Sequence, residues 1–336
     1  MKLTDSQHIA RRLATLKEIR SPFEEEWLAM SDNILGYRGC FGTKGKKRSR
    51  KVDTTIINNT ASISSTVLSS GLMGGVSSPS KPWVNFVVSN ADLMENFDVR
   101  VWLEKVEKIV SLVMSKSNIY NSIHTLYSEL GVFGTGALGI YEDYNKVIKT
   151  ECYTAGTYYL DINEDGIVDT FYRELVMTAN DIINKFGKDA LPDGLLNGRD
   201  FDKDKTDFNV IHAVEPNRNI KNGSKLSQDK PFSSTYIYYE SWYSGSGIVT
   251  NPPKGMKVLS KSGYDEFPIM VARWDVIPGD VYGGMYPGLR AIGDTKALQF
   301  TEELKARALE KQVDPPTMSR SEEHTSELQS RMPSSA

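Results

Sequence analysis

Six basic side chains fall within eight residues at Lys44 to Lys51, KGKKRSRK. Such a cluster could neutralise nucleic-acid phosphates. A solvated loop is the commoner fate of a charge run. Asp161, Asn163, Asp165 and Gly166 match the opening of a calcium-binding EF loop. The twelfth position, however, is Tyr172 rather than glutamate, and the flanks read as strands. An Asp-Gly hairpin turn accounts for the same residues. Gly71, Gly74 and Gly75 suggest a phosphate cradle, but no Lys-Ser/Thr follows and no strand clearly precedes. A glycine-rich turn into a proline-anchored strand, Trp83 to Val88, is the simpler reading. His124 has no His or Cys partner at ligand spacing. Tyr236, Tyr238, Tyr239, Trp242 and Tyr243 could stack bases, yet alternating aromatics on a half-buried strand are usually core. There is no Gly-x-Ser-x-Gly, His-Glu-x-x-His or Gly-Lys-Ser/Thr, and no Cys/His pair with a plausible base. No catalytic, cofactor-binding or metal-ligating residue is therefore assigned, and no cofactor is expected.

The elements that would position these residues follow from periodicity. Residues 5–35 read as helix, with Ile9, Leu13, Leu16, Ile19, Trp27, Leu28 and Ile34 at three- and four-residue steps. Pro22 is expected to interrupt it, with Ser21 capping a second helix. Asp53 to Leu72, rich in small residues, reads as a buried helix. Asp98 is placed as the cap of a helix whose stripe is Val99, Trp102, Leu103, Val106, Ile109, Val110 and Val113. A further helix carries Ile123, Leu126, Tyr127 and Leu130, and ends at the glycines 131, 134 and 136. From Ala137 the period becomes two. Ala137–Tyr141, Val147–Tyr153, Tyr158–Ile162 and Val168–Val176 read as successive antiparallel strands. Thr178 and Asp181 form a capping box for a short helix closed by Gly187. Asn209–Val214, Thr235–Trp242 and Phe267–Trp274 are further strands.

The last element is a helix from Gly288 to Val313, filled with strong helix formers and carrying Glu303 and Arg307 four apart. Pro315 and Pro316 stop it. Its apolar face is thin, so a helix of this length needs neighbours: either an ordinary enzyme body, or copies of itself in a ring wall.

Composition bounds the rest. The chain has 336 residues, 39% hydrophobic and 25% charged, enough for one or two domains with a sizeable core. A formal charge of −3 does not announce a nucleic-acid binder. Cys40 and Cys152 give neither a disulfide framework nor a metal spacing. No run of eighteen apolar residues exists, so no membrane partner is expected. The segment Arg320 to Ala336, RSEEHTSELQSRMPSSA, lacks any apolar face and resembles the in-frame translation of a sequencing adapter. Such a scar is set aside in fold reasoning. The authentic gene is expected to continue past Ser319. Resequencing across codon 319 is expected to show the frame running on into further helix and strand; a stop after codon 336 would make the tail genuine.

Four stretches, in order, resemble the head-to-tail connector, or portal, proteins of short-tailed bacteriophages. They are the first helix with its basic loop and Asp53-Thr54; Leu68–Leu72 through Ser78-Pro79-Ser80-Lys81-Pro82-Trp83; Val101-Trp102-Leu103 through Ser117–Tyr120 and Phe133–Ala137; and Asp165-Gly166 through Asp169-Thr170, Arg173-Glu174, Met177-Thr178-Ala179 and Phe186-Gly187. The long helix, with Tyr282-Gly283 before it and Asp314-Pro315-Pro316 after it, fits as well. Gly284-Met285-Tyr286 departs from the family, which more often has a basic residue and Ser-Pro there.

The resemblance implies an α+β fold, with a portal-type wing of helices and antiparallel strands over residues 1–280. It implies the start of a stem helix over 281–319, followed by the foreign tail 320–336. It also implies a ring, typically a dodecamer, at one capsid vertex of the virion, assembled in the bacterial cytoplasm. Double-stranded DNA would pass through it without sequence specificity. Terminase, tail adaptors, major capsid protein and scaffolding protein would dock on it. It implies no catalysis. The rival readings are the N-terminal part of a phage DNA-processing enzyme, and a tail adaptor without a DNA channel.

Overall fold

The computed structural model describes residues 5–36, 56–187, 207–218, 220, 224, 226–239 and 255–313. The basic stretch Lys44–Lys51, Cys40, Trp242, Tyr243, Pro315, Pro316 and the tail 320–336 lie outside these residues.

Helix α1, Asp5–Asn33, is continuous through Pro22. The expected break is absent because both halves are held to one surface. An interior proline costs about 3 kcal/mol or more. Against that, Leu13 and Leu16 are fully buried before it, and Trp27 and Met30 after it, each worth roughly 1.5–3 kcal/mol. Arg20, two residues before Pro22, adds a polar pin. It donates to the carbonyls of Gly156 and Tyr158, both at 2.9 Å, and lies over the Tyr159 ring.

Helix α2, Thr60–Gly75, contains all three glycines of the supposed turn and is largely exposed rather than buried. It packs on helix α5, Ile119–Phe133, where Gly131 leaves room for Leu68. A short helix α3, Ala91–Glu95, and a long one, α4, Phe97–Lys116, are both capped by asparagine side chains. Asn96, not Asp98, caps α4, accepting from the Asp98 amide at 2.9 Å. Of the α4 stripe only Leu103 is buried; Trp102 and Ile109 face solvent. Trp83–Val88 forms no strand.

The strands make two antiparallel sheets. The first has the order β2–β1–β8, with β1 Thr135–Asp143, β2 Val147–Tyr153 and β8 Ile269–Arg273. The second runs β3–β4–β5–β6–β7: Tyr158–Ile162, Val168–Thr178, Asp207–Pro216, Phe232–Tyr239 and Lys257–Tyr264. Helix α6, Ala179–Phe186, follows β4 through the expected Thr178/Asp181 capping box. The main core gathers Trp27, Phe133, Tyr153, Tyr158, Phe171 and Tyr282 from α1, α5, both sheets and the loop before the last helix, α7, Pro287–Val313.

A polar seam joins the two sheets. Arg173 on β4 donates to Glu151 on β2 at 3.0 Å and to His212 Nδ1 on β5 at 3.2 Å. That second bond needs a lone pair on Nδ1, so the ring proton sits on Nε2, facing Ser234 Oγ at 3.1 Å. Tyr236 stacks on the imidazole at 4.0 Å. Tyr141 and Tyr153 share a hydroxyl contact of 2.7 Å beside this group, and burial pushes the Tyr141 phenol up to about 12.

Burial, then the charges of Arg173 and Lys185, hold His212 well below the ordinary histidine value. The folded chain thus refuses a proton that the unfolded chain accepts. His212's contribution is complete above the unfolded value of about 6.5 and drains as pH falls toward the depressed folded value. Once below 6.5, this histidine is expected to remove about 1.4 kcal/mol of stability per pH unit. Urea unfolding between pH 7.5 and 5 checks this, and His212→Gln should flatten the slope. An unchanged slope would mean another group dominates.

Candidate functional site

Three sequence candidates for chemistry are structural. Asp161 pairs with Arg12, while Asn163 Oδ1 accepts the amides of Asp165 and Ile167 at 3.0 and 2.9 Å. Gly166 takes φ 75°, and the four residues build the β3–β4 hairpin turn. His124 Nε2 lies 3.4 Å from Ser70 Oγ. Tyr238 and Tyr239 are buried, with Tyr239 donating to Glu174 at 2.9 Å, and Tyr236 packs on His212. Among the described residues no group of three His, Cys, Asp or Glu side chains is placed to hold a metal, and no helix is long and apolar enough to cross a membrane.

What the fold positions with most care is the base of α7. Gly134 closes α5 in the left-handed region, φ 73°. Its carbonyl accepts the Trp274 amide at 2.9 Å at the end of β8. Gly283 lies flat against that same carbonyl, and its amide donates to Thr135 Oγ1 at 2.8 Å. A side chain at Gly283 would overlap the Gly134 oxygen. Tyr282, one residue earlier, wedges between Phe23 and Trp27 with ring centroids 5.1 and 5.0 Å away, and its hydroxyl accepts the Leu160 amide.

Tyr286 covers Gly134 with its ring and donates to Glu26 on α1. Burial and that carboxylate push the Tyr286 phenol well above its ordinary value. Pro287 then opens the helix, a position where a missing N–H breaks no bond. The departure Gly284-Met285-Tyr286 is thus explained: Tyr286 is an internal anchor, and Met285 is exposed.

The lower half of α7 is fixed. Leu289 and Ile292 pack on the main core, and Gly288 and Thr295 are buried. Gln299 clamps the segment before α2. Its Oε1 accepts the Ile57 and Asn58 amides, both at 2.9 Å, and its Nε2 donates to the Asn58 carbonyl at 2.7 Å. Between α2, α5 and α7 lies an apolar cavity of about 280 Å³, lined by Ala61, Leu68, Val132, Ala291 and Leu298 among others.

Above Gln299 the helix leaves the body. No residue from Phe300 to Val313 is buried, a projection of about 20 Å at 1.5 Å per residue. Phe300, Leu304, Leu309 and Val313 are all exposed, the last at 86%. Nine residues separate Phe300 from Leu309, which puts them about 180° apart on the helix. Phe300 and Leu304 therefore line one flank, Leu309 and Val313 the opposite one. Each flank also carries a charge from an ion pair: Arg307, paired with Glu303, lies seven residues after Phe300, and Glu302, paired with Lys305, lies seven before Leu309. A lone surface helix carries one apolar stripe toward its own core. This one carries two, on opposite sides, beyond the reach of the core.

Sequence comparison gives these features a setting. Residues 6–332 match the family described as "Bacteriophage head to tail connecting protein". The match runs into the segment that resembles an adapter. A portal protein of Salmonella phage epsilon15 is 36% identical over 316 residues, which are 94% of this chain and 55% of that protein. A probable portal protein of Bordetella phage BPP-1 is 30% identical over 313 residues, 93% of this chain and 54% of the relative. The chain spans about half the length of the curated relatives it matches.

Proposed function

This chain belongs to the family of bacteriophage head to tail connecting proteins, and on that premise we propose that it is a portal subunit, one of a ring of identical subunits at the unique vertex of a phage capsid. Residues 1–280 form the outer wing in this reading. Residues 281–319 begin the stem, and 320–336 are a foreign tail. The ring, a dodecamer, conducts double-stranded DNA during packaging and ejection. Terminase docks on it first and tail adaptors afterwards, with major capsid and scaffolding proteins around it. No catalytic step is assigned to it.

The observation that carries this reading is the upper half of α7, which has exposed apolar residues on two opposite flanks that no other described residue covers. A helix inside a ring wall has a neighbour on each side, and each neighbour is a copy of itself. The formal charge of −3 suits the same task. A strongly basic wall would hold DNA by its phosphates through counterion release and oppose sliding.

Residues 1–319 alone are expected to form no stable ring. A polypeptide of the two relatives' length that carries these residues is expected to give rings in negative stain, with a channel wide enough for duplex DNA. A clean ring from residues 1–319 would overturn the assignment of the stem. Rings with a channel too narrow for a duplex would favour the tail-adaptor reading.

A further inference from the structure

The segment Pro82–Val88, PWVNFVV, has the composition of a strand and, among the described residues, no strand partner. Val84 and Val88 turn partly inward, while Val87 is 75% exposed and Trp83 and Phe86 about a third. Trp83 and Phe86 line a cavity with Val110 and Met114 of α4, and Trp83 Nε1 lies 3.3 Å from the Tyr120 hydroxyl. Among the described residues, none of the backbone amides from Trp83 to Val87 finds an acceptor; that of Val88 reaches only the Met94 sulfur. Pro82 begins the segment, a position that strands tolerate. No charge interrupts it. An apolar stretch with an open backbone is what proteins normally blunt, because it can template pairing with another strand.

The same chain offers an edge for it. Two of the four sheet edges are already closed by side chains. On β3, Arg20 takes the Tyr158 carbonyl and the Tyr282 hydroxyl takes the Leu160 amide. On β2, Asn118 brackets Thr150, accepting its amide at 2.9 Å and donating to its carbonyl at 2.7 Å. The third edge, β7, carries Lys257 and Lys261, the charges that discourage pairing.

The remaining edge, β8, reads IMVAR. The bonds Ile140 N to Pro268 O and Trp274 N to Gly134 O set its phase: residues 268, 270, 272 and 274 face β1. Ile269, Val271 and Arg273 therefore turn their backbone groups away from β1, and none of these bonds to another described backbone. Met270 is exposed at 62% on this apolar edge.

We propose that Pro82–Val88 of one subunit adds as a fourth strand to the β8 edge of a second copy, extending its β2–β1–β8 sheet. Among the described residues the segment does not pair with β8 of its own chain, so the partner is another molecule. The contact joins two different surfaces. It is head-to-tail, and it propagates into a ring or an open chain rather than stopping at a dimer. This inference rests on the ring reading for the identity of its partner, and it assigns the wing its own contact, separate from the stem.

The test uses this chain with Cys40→Ser and Cys152→Ala, carrying Val87→Cys and Met270→Cys, treated with a short bismaleimide at high concentration. The expected result is a ladder of covalent dimers, trimers and higher species. Each single-cysteine variant should stop at dimers at most, and Val87→Cys with Val147→Cys on β2 should give no ladder. Asn85→Pro, which removes one strand amide on an exposed segment, should abolish the ladder while leaving the circular dichroism spectrum unchanged. No ladder from the 87/270 pair, or a ladder indifferent to Asn85→Pro, overturns the proposal. If sedimentation still shows association in that case, the ring reading survives and only the wing contact falls.

Discussion

Gly283→Ala is expected to lose several kcal/mol of stability and to separate α7 from the body of the protein. The reason is local and steric. A methyl group at this position overlaps the Gly134 carbonyl oxygen, which is itself fixed by the Trp274 amide. Neither side can give way cheaply. Gly134 sits in a left-handed cap with the Tyr286 ring against it, and Gly283 is tied to Thr135. Relief requires breaking the Gly283–Thr135 and Trp274–Gly134 bonds inside the core. Each buried group left without a partner costs about 1–3 kcal/mol. Against a total of roughly 5–15 kcal/mol for a domain, that is a large share. Urea unfolding followed by circular dichroism measures it. Gly74→Ala is the control, since a methyl there meets nothing within 4 Å in an exposed helix. It should stabilise by about 0.5–1 kcal/mol. Equal midpoints for the two variants would show that the packing of the α5–α7 junction is looser than described.

The sequence reads well where one residue's neighbours are near in the chain. The period-two runs locate β1 to β6 and β8, and the Thr178/Asp181 box is visible because both halves of a cap lie within one turn. The α7 helix is legible for the same reason: its helix formers follow one another in the chain, and the expected start at Gly288 lies one residue from the observed Pro287. Readings failed where a distant segment decides. β7, KVLSKSGY, has no strong alternation, because an edge strand with lysines is recruited by β6 rather than by its own pattern. Pro22 does not break α1, because Arg20 and Trp27 reach β3 and Phe133, more than a hundred residues away. Asn96 took the cap assigned to Asp98 because both residue types cap helices, and only backbone geometry chooses between them. At the functional end, the contact of Gly283 with Gly134 and Thr135 spans about 150 positions. Nothing in the local pattern YGGMY announces it. Trp83–Val88 has the composition of a strand and forms none, because among the described residues no second strand lies beside it to supply the ladder.

Charge placed on the flanks of the projecting helix is expected to abolish ring assembly without unfolding the subunit. Phe300→Asp and Leu309→Asp address opposite flanks, and both positions are about 61% exposed, so neither supports the core. In the isolated chain each change should shift stability by no more than about 0.5 kcal/mol, the usual range for surface sites. In a ring wall each flank meets a neighbour, and burying an unpaired carboxylate there costs several kcal/mol or forces its protonation. Closed rings multiply the effect, because the same defect recurs at every interface around the circle. The expected outcome, in a polypeptide of the relatives' length, is soluble monomer in native mass spectrometry where the parent gives rings. Glu303→Gln, which only loosens an exposed ion pair on the same helix, should assemble normally. The two flanks also make separate predictions. If only Phe300→Asp blocks assembly, α7 meets a neighbour on one side alone, and the opposite strip of Leu309 and Val313 faces some other element. If neither variant affects the ring, the stem helices do not touch one another, and subunit contacts must lie in the wing.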